Sequence, residues 1–119
     1  MISVIFPIRN EKKYIASSLE SILNQAQNSP IEILIADGMS TDGTREIINE
    51  YQKYNSSIHL LDNPEKVVST GFNRALSIAK GKVIIRVDGH AIVKSNYIDQ
   101  CLRVLEKRLN KDIKTLLNN

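Results

Sequence analysis

Four short runs of Ile, Val and Leu alternate along the chain with longer segments in which apolar residues recur every three or four positions. The runs cover residues 2–6, 31–36, 58–61 and 82–87, and polar or turn-forming residues bound each of them. Runs of this length and composition predict buried β-strands, and the spacing between them predicts amphipathic helices. The order βαβαβαβα therefore predicts an α/β fold with a mostly parallel sheet and helices on both faces.

The predicted helices are defined by their apolar positions. These are Ile15, Leu19, Ile22, Leu23 and Ala26 in the first helix, Ile47, Ile48 and Tyr51 in the second, Phe72, Ala75, Leu76 and Ala79 in the third, and Ile98, Leu102, Leu105 and Leu109 in the fourth. The second helix is predicted to begin near residue 42, with Ser40, Thr41 and Asp42 as capping residues, and Gly81 is predicted to end the third.

Ligands of open α/β sheets bind beyond the carboxyl ends of the strands. In this chain those ends are the loops at residues 7–11, 37–43, 62–66 and 88–91, which hold most of the polar residues of interest. The first loop contains no glycine, so it is neither the glycine-rich turn of a dinucleotide fold nor a P-loop.

Composition narrows the class of protein. The chain has 119 residues, 42% hydrophobic and 24% charged, as expected for one globular domain. A net charge of +3 with scattered basic residues argues against a nucleic-acid partner. The single cysteine, Cys101, allows no internal disulfide and fits a reducing compartment. No export signal or membrane span is evident, so we expect a cytoplasmic protein.

The basic residues near the C-terminus leave two interpretations open. They could attach the protein peripherally to the inner face of a membrane, or they could form an ordinary solvated helix face.

Asp88 and His90 follow the last apolar run and are separated only by Gly89. A carboxylate and an imidazole at this spacing suit one shared divalent metal ion, which would neutralise a leaving diphosphate. The imidazole fits Mn²⁺ better than Mg²⁺. The alternative, equally open from these residues, is a turn at Asp88 and Gly89 followed by a surface histidine.

Two further carboxylates follow strands. Asp37, at the tip of the second run, could accept hydrogen bonds from a base edge or a ribose, or could be a turn residue before Gly38. Glu11 and Arg9 lie at the correct end of the first strand to meet a nucleoside or its phosphates. Taken singly, Glu11 is better explained as an acid in the first turn of a helix, favoured by the helix dipole.

Together these segments resemble the family 2 glycosyltransferases, whose N-terminal half has the GT-A fold. The matching segments are residues 4–7 with Asn10 and Glu11, the string Asp37-Gly38-Met39-Ser40-Thr41-Asp42-Gly43-Thr44, Asn73 with residues 79–84, and residues 87–90. The segment Arg86-Val87-Asp88-Gly89-His90-Ala91 is most similar to the subgroup of succinoglycan-type exopolysaccharide glycosyltransferases.

The resemblance implies transfer of a sugar from a nucleotide-diphosphate donor, with inversion and with a divalent metal ion, Mn²⁺ or Mg²⁺. It places Pro7, Glu11 and Asp37 at nucleoside-binding positions and Asp88 at the first acid of the family's D-x-D motif. His90 then takes the second metal-ligand position. The implied partners are a nucleotide-sugar donor and a glycan or lipid-linked acceptor.

In this family the catalytic base is carried in the second half of the domain. The resemblance extends to about residue 105, and residues 106–119 form a divergent basic tail, so we expect residues 1–119 to form a partial domain. Donor and metal sites are expected, while the acceptor side and base are not. The alternatives are a fragment that binds nucleotide without turnover and one half of a split enzyme. Self-association, or a second polypeptide completing the domain, is also expected.

A rival fold is a receiver-like signalling domain that holds Mg²⁺ around a phospho-acceptor. The order of strands in the sheet tests the GT-A interpretation. It predicts that the first strand lies between the second and fourth, with the third at an edge.

Overall fold

The computed structural model describes residues 1–25 and 30–118, with side chains described as far as residue 112. Its strands are β1 (Ile2–Ile8), β2 (Ile31–Asp37), β3 (Ile58–Asp62) and β4 (Val83–Arg86). Its helices are α1 (Ile15–Leu23), α2 (Thr44–Tyr54), α3 (Val68–Ile78) and α4 (Tyr97–Asn118). Strands and helices alternate throughout, as the pattern of apolar residues predicts.

The four strands form one parallel sheet in the order β3-β2-β1-β4. Ile5 of β1 lies opposite Leu34 of β2 on one side and opposite Arg86 of β4 on the other. The first strand is therefore central and the third lies at an edge, which confirms the predicted strand order.

Every residue of β1 and β2 is buried, because helices cover both faces of the sheet. The larger core cluster joins one face to α1, α2 and α4 through Leu19, Ile48 and Ile98. The smaller cluster joins the other face to α3 through Ala75. The α/β fold with helices on both faces is confirmed.

Several predicted details of the helices are wrong. Helix α2 begins at Thr44 rather than near residue 42. Of the three expected capping residues, Asp42 accepts a hydrogen bond from the first helical N–H, that of Thr44, at 3.0 Å. Helix α3 ends at Ile78, three residues before Gly81. Leu76, Leu105 and Leu109, three of the apolar positions that define the predicted helices, are 43%, 40% and 53% exposed. Ala26 lies outside the described residues.

None of the helices in the described ranges combines the length with the apolar composition that crossing a membrane requires. Although α4 runs for 22 residues, it carries charged side chains along its length.

The amino ends of the strands are closed by a buried polar network. The Ser3 hydroxyl donates to a carboxylate oxygen of Glu32 at 2.5 Å, and the Lys80 N–H donates to the same oxygen at 2.6 Å. The Gly81 N–H donates to Ser3 Oγ at 2.8 Å. A Cβ on Gly81 would lie 2.5 Å from the Ser3 nitrogen, so this glycine is required by the close approach to β1 rather than by the end of a helix.

Burial by itself would raise the pKa of Glu32, but hydrogen bonds from Ser3 and from the backbone N–H groups of Lys80 and Gly81 outweigh it. The pKa is therefore lowered from its usual value of 4.5. A carboxylate that is more acidic in the folded state stabilises the fold above its unfolded pKa, and this contribution is lost as the pH falls through the folded pKa.

We expect Glu32→Gln to lower the free energy of unfolding at neutral pH and to lose less stability than the unmodified chain on acidification. The difference in free energy of unfolding between the two proteins, measured by urea denaturation, should stay constant above about pH 5 and become smaller toward about pH 3. Glu50→Gln, which removes an exposed carboxylate of α2, is the matched control. A difference in free energy of unfolding that stays constant down to about pH 3 would contradict the role given to Glu32.

Candidate functional site

A gap opens between β1 and β4 at the carboxyl edge of the sheet. The last bond between the two strands' backbones runs from the Val87 N–H to the Ile5 carbonyl at 2.9 Å, whereas β1 continues to Ile8. Residues of a parallel strand bond alternately to its two neighbours, so Pro7 faces the same side as Ile5. Pro7 has no N–H to donate, which suits a position where the neighbouring strand has already left.

Pro7 and Ile8 are thus buried residues of β1, and the predicted loop at 7–11 begins only at Arg9. The gap lies where the chain, having added β2 and β3 on one side of β1, adds β4 on the other. Such a reversal in strand order is where open α/β sheets bind their ligands.

Hydrogen bonds join the loop after β1 to the loop after β2. They run from Arg9 Nε to the Gly38 carbonyl at 2.9 Å, from the Asn10 N–H to Ser40 Oγ at 2.8 Å, from the Thr41 N–H to Asn10 Oδ1 at 2.8 Å, and from the Glu11 N–H to Thr44 Oγ1 at 2.9 Å. Asn10 has a φ of 53°, a left-handed conformation that asparagine tolerates better than most residues. Because the bonds fix both loops, Arg9 and Glu11 are presented on a rigid support.

Asp37 is fully buried at the end of β2. Its Oδ1 accepts the Ser40 hydroxyl at 2.5 Å, while its Oδ2 accepts the Ser40 N–H at 3.0 Å and the Arg45 guanidinium at 2.7 Å. The carboxylate predicted to meet a base or ribose therefore faces its own loop and helix in this conformation.

Arg45 and Asp62 complete this group, and the sequence interpretation did not include them. Arg45 also donates to Asp62 Oδ1 at 2.6 Å, and Asp62 ends β3 directly opposite Asp37. The hydrogen bond to Asp37 and, secondarily, that to Asp62 raise the pKa of Arg45 above its usual value. Asp62 is a strand-end acid like Asp37, so the criterion that identified Asp37 would have identified it as well.

Glu11 and His90 meet across the gap between β1 and β4. His90 Nδ1 lies 3.6 Å from Glu11 Oε1, with the histidine side chain 63% exposed and the glutamate 24% exposed. Asp88 is also exposed and lies 3.6 Å from the Arg86 guanidinium. The structure thus brings Glu11 and His90 together, leaves Asp88 exposed beside Arg86, and keeps Asp37 in a separate, buried network.

Gly89 allows this arrangement because its backbone lies against β1. A Cβ there would lie 2.5 Å from Ile8 Cγ2 and 3.0 Å from Glu11 Cγ. Ile8 is buried and β-branched, so its side chain has little freedom to give way. The residue between Asp88 and His90 must therefore be glycine for these two side chains to stand at the gap.

The side chains of Asp88 and His90 at the gap carry donor atoms of the kind that bind divalent metal ions. Asp88 supplies exposed carboxylate oxygens and His90 an exposed imidazole, a donor set suited to Mn²⁺. Among the residues that the structure describes, no three His, Cys, Asp or Glu side chains gather into a metal site. Remaining ligands would have to come from substrate and water, as is common for metal ions bound with phosphates.

A parallel α/β sheet whose strand order reverses beside carboxylates and an imidazole belongs to the open α/β class, whose ligands bind at that reversal. Comparison with known proteins identifies the family. Residues 3–112 match the protein-family model for glycosyl transferase family 2. The chain belongs to the family 2 glycosyltransferases.

Two curated relatives show how the chain corresponds to longer proteins. It is 32% identical to glycosyltransferase GlyG of Streptococcus pneumoniae over 120 residues, covering 100% of this chain and 38% of that protein. It is also 32% identical to the succinoglycan biosynthesis protein ExoA of Rhizobium meliloti over 108 residues, covering 89% and 32%. The chain thus spans about a third of the length of the curated relatives that it matches.

Solved structures agree with the fold. A crystal structure of residues 1–349 of S. aureus TarS in complex with UDP superposes with a TM-score of 0.74 at 25% identity, covering 89% of this chain and 32% of that fragment. The mannosyltransferase PcManGT of Pyrobaculum calidifontis, in complex with GDP-Man and Mn²⁺, gives a TM-score of 0.73 at 25% identity, covering 82% and 30%. The predicted GT-A fold and the resemblance to the family are confirmed.

We expect Gly89→Ala to destabilise the chain by about 1–3 kcal/mol, the usual cost of forcing a methyl group into a packed site. Urea denaturation measures the change. Gly38→Ala is the matched control, because its Cβ would meet Arg9 Cβ at 3.2 Å and the Ile8 carbonyl at 3.3 Å, which asks for smaller shifts. A Gly89→Ala protein as stable as the unmodified chain would show that the close contact with Ile8 is unimportant.

Proposed function

We propose that this chain is the donor-binding half of an inverting, metal-dependent glycosyltransferase in polysaccharide or cell-envelope glycan synthesis. The observation that carries the proposal is the approach of His90 to Glu11 across the gap between β1 and β4, with Asp88 exposed two residues before His90. In a chain of this family, these are the side chains available to a nucleotide diphosphate lying beyond the ends of both strands.

The proposed donor is a nucleotide-diphosphate sugar. TarS was crystallised with UDP and PcManGT with GDP-Man, and both superpose on this chain. In the proposed site Arg9, exposed at the end of β1 and fixed through its Nε, offers positive charge to the donor. Glu11 offers an acceptor for donor hydroxyls and orients the His90 imidazole. Pro7 shapes the gap from within β1.

We propose Asp88 and His90 as the protein's ligands for a divalent metal ion, Mn²⁺ or Mg²⁺. When bound, such an ion would supply positive charge that stabilises the departing diphosphate. The presence of Mn²⁺ in the complex of PcManGT supports this assignment. The exposure of both side chains leaves room for phosphate oxygens beside them.

Transfer to a glycan or lipid-linked acceptor is proposed for the whole protein. Because this chain spans about a third of its curated relatives, nucleotide binding without turnover is the second candidate for the chain alone. We also propose that the protein works in the cytoplasm, peripherally at the inner face of the membrane. The exposed basic side chains of Arg103, Lys107 and Arg108 on α4 support peripheral attachment.

Calorimetric titration of the chain with UDP and with GDP, in the presence and absence of Mn²⁺, tests the proposal. We expect Mn²⁺ to strengthen binding of the preferred nucleotide, and Asp88→Ala to weaken it at least about 10-fold, the effect of losing a metal ligand or its immediate support. His90→Ala should act in the same direction.

Asp112→Ala is the matched control, because it removes an exposed aspartate from α4, far along the chain from the gap. It should leave the titration unchanged. Binding that does not respond to Mn²⁺ would refute the metal site. Failure of the folded chain to bind either nucleotide would refute the donor site itself.

A further inference from the structure

Arg86 is the last residue of β4, and two contacts define the position of its side chain. Its guanidinium lies 6.0 Å from the centre of the Phe72 ring of α3, at the outer limit of a cation–π interaction. One of its nitrogens lies 3.6 Å from Asp88 Oδ1. The Val87 N–H still bonds to β1, so Arg86 and Asp88, two positions apart, share a face of the strand. The fold thus places a positive charge beside one of the two proposed metal ligands.

The contact between Arg86 and Asp88 is a loose ion pair. The Arg45 guanidinium, by contrast, lies 2.7 Å from Asp37. Charge-assisted N–H···O hydrogen bonds are about 2.7–2.9 Å long, so at 3.6 Å the two charges attract each other without that bond. The side chains of Arg86 and Asp88 are 51% and 57% exposed, and water screens the attraction. Asp88 can therefore exchange this partner at small cost.

Arg86 stands where it competes with any other cation for Asp88. A guanidinium and a divalent metal ion are both attracted to a carboxylate, but they repel each other when both lie close to it. His90, the second proposed ligand, contacts Glu11 instead. The competition therefore acts through Asp88, and a metal ion that arrives alone meets an opposing positive charge there.

A diphosphate offers Arg86 a better partner than Asp88. The planar guanidinium can donate two parallel hydrogen bonds to phosphate oxygens. Half of the Arg86 side chain is exposed at the carboxyl edge of the sheet, where the nucleotide is proposed to bind. Contact with the Phe72 ring does not depend on Asp88, so the guanidinium keeps this support when it turns toward a phosphate. Arrival of a diphosphate would thus remove the competitor from Asp88.

We propose that Arg86 makes metal binding depend on the nucleotide: it neutralises Asp88 in the empty site, opposes a metal ion that arrives alone, and turns to the diphosphate when the nucleotide binds. Arg86 is not a metal ligand in this proposal and acts on metal binding through Asp88. Coupling of this kind is reciprocal, so nucleotide and metal ion each strengthen binding of the other. The inference rests on the proposed function, because it needs both ligands at the same gap.

The variant Arg86→Gln separates this mechanism from a structural role through the signs of two effects. Loss of the charge should strengthen binding of Mn²⁺ alone about 3- to 10-fold, since a dipositive ion no longer meets a like charge in a partly solvated site. Loss of the guanidinium should weaken binding of UDP without metal about 3- to 10-fold, the usual effect of one hydrogen bond. A residue that merely orients Asp88 would weaken both when replaced.

Two titrations measure these effects. The electron paramagnetic resonance signal of free Mn²⁺ reports metal binding, and calorimetry in metal-free buffer reports UDP binding. Arg86→Lys keeps the charge without the planar fork, so it should retain weak binding of Mn²⁺ alone and still bind UDP less tightly than the unmodified chain. Arg74→Gln is the matched control, because it removes the same charge from an exposed arginine that bonds to Glu65, and it should change neither titration. Urea denaturation verifies that each variant is folded.

The coupling itself is measured by titrating Mn²⁺ in the presence of UDP, with a protein-free titration to correct for the complex that the two form in solution. UDP should strengthen Mn²⁺ binding by the unmodified chain. In Arg86→Gln this gain should be about 3- to 10-fold smaller, because metal binding without nucleotide is no longer opposed.

Three results would overturn the inference while leaving the proposed function intact. These are unchanged or weaker binding of Mn²⁺ alone by Arg86→Gln, unchanged binding of metal-free UDP by that variant, and a gain from UDP as large in the variant as in the unmodified chain. If the folded, unmodified chain binds Mn²⁺ neither alone nor with UDP, the proposed metal site and this inference fail together.

Discussion

The central strands β1 and β2 are buried on both faces, and this constraint decides where polar chemistry lies in the protein. Helices cover the sheet from both sides, so along these strands the side chains are almost entirely apolar. A polar group within such a strand would lose its water without compensation. Carboxylates therefore occur near the ends of the strands, where loop backbone and neighbouring side chains supply hydrogen bonds.

The two ends of the sheet satisfy their carboxylates differently. At the amino end, Glu32 is held by Ser3 and by backbone N–H groups in a closed, buried network. At the carboxyl end, Asp37 is likewise enclosed, but Asp88 and His90 remain largely exposed. At the carboxyl end, Asp88 and His90 are thus open to a ligand, whereas the Glu32 carboxylate at the amino end already has its hydrogen-bond donors. This difference agrees with the general location of ligand sites in open α/β sheets.

The path of β4 relative to β1 shapes the site, and two glycines determine it. Gly81 brings the chain against Ser3 before β4 begins, and Gly89 brings it against Ile8 after β4 has ended. Between these contacts β4 pairs with β1 only as far as Ile5, and Pro7 removes the N–H that would continue the ladder. The gap is therefore short, since it begins beyond the bond from Val87 to Ile5 and ends where Gly89 packs against Ile8.

The sequence by itself determined the alternation of strands and helices, the parallel sheet and the family, because these depend on local periodicity and on a contiguous motif from Asp37 to Thr44. It also placed Glu11, Asp37, Asp88 and His90 correctly at one edge of the sheet. Boundaries were less accurate: Pro7 was assigned to a loop, and Ser40 was expected to cap a helix. These errors arose because proline and serine each occur in several local settings, turns among them, so residue type alone does not decide between a loop, a strand end and a cap.

Only the tertiary structure decided which of these residues meet. The contact of Arg45 with Asp37 and Asp62 joins residues from three elements, and no local pattern specifies it. The burial of Asp37 and the exposure of His90 likewise depend on how the loops pack. A sequence pattern reports the residues that a strand delivers to the edge of the sheet. Whether each is covered or open depends on contacts between residues far apart in the chain.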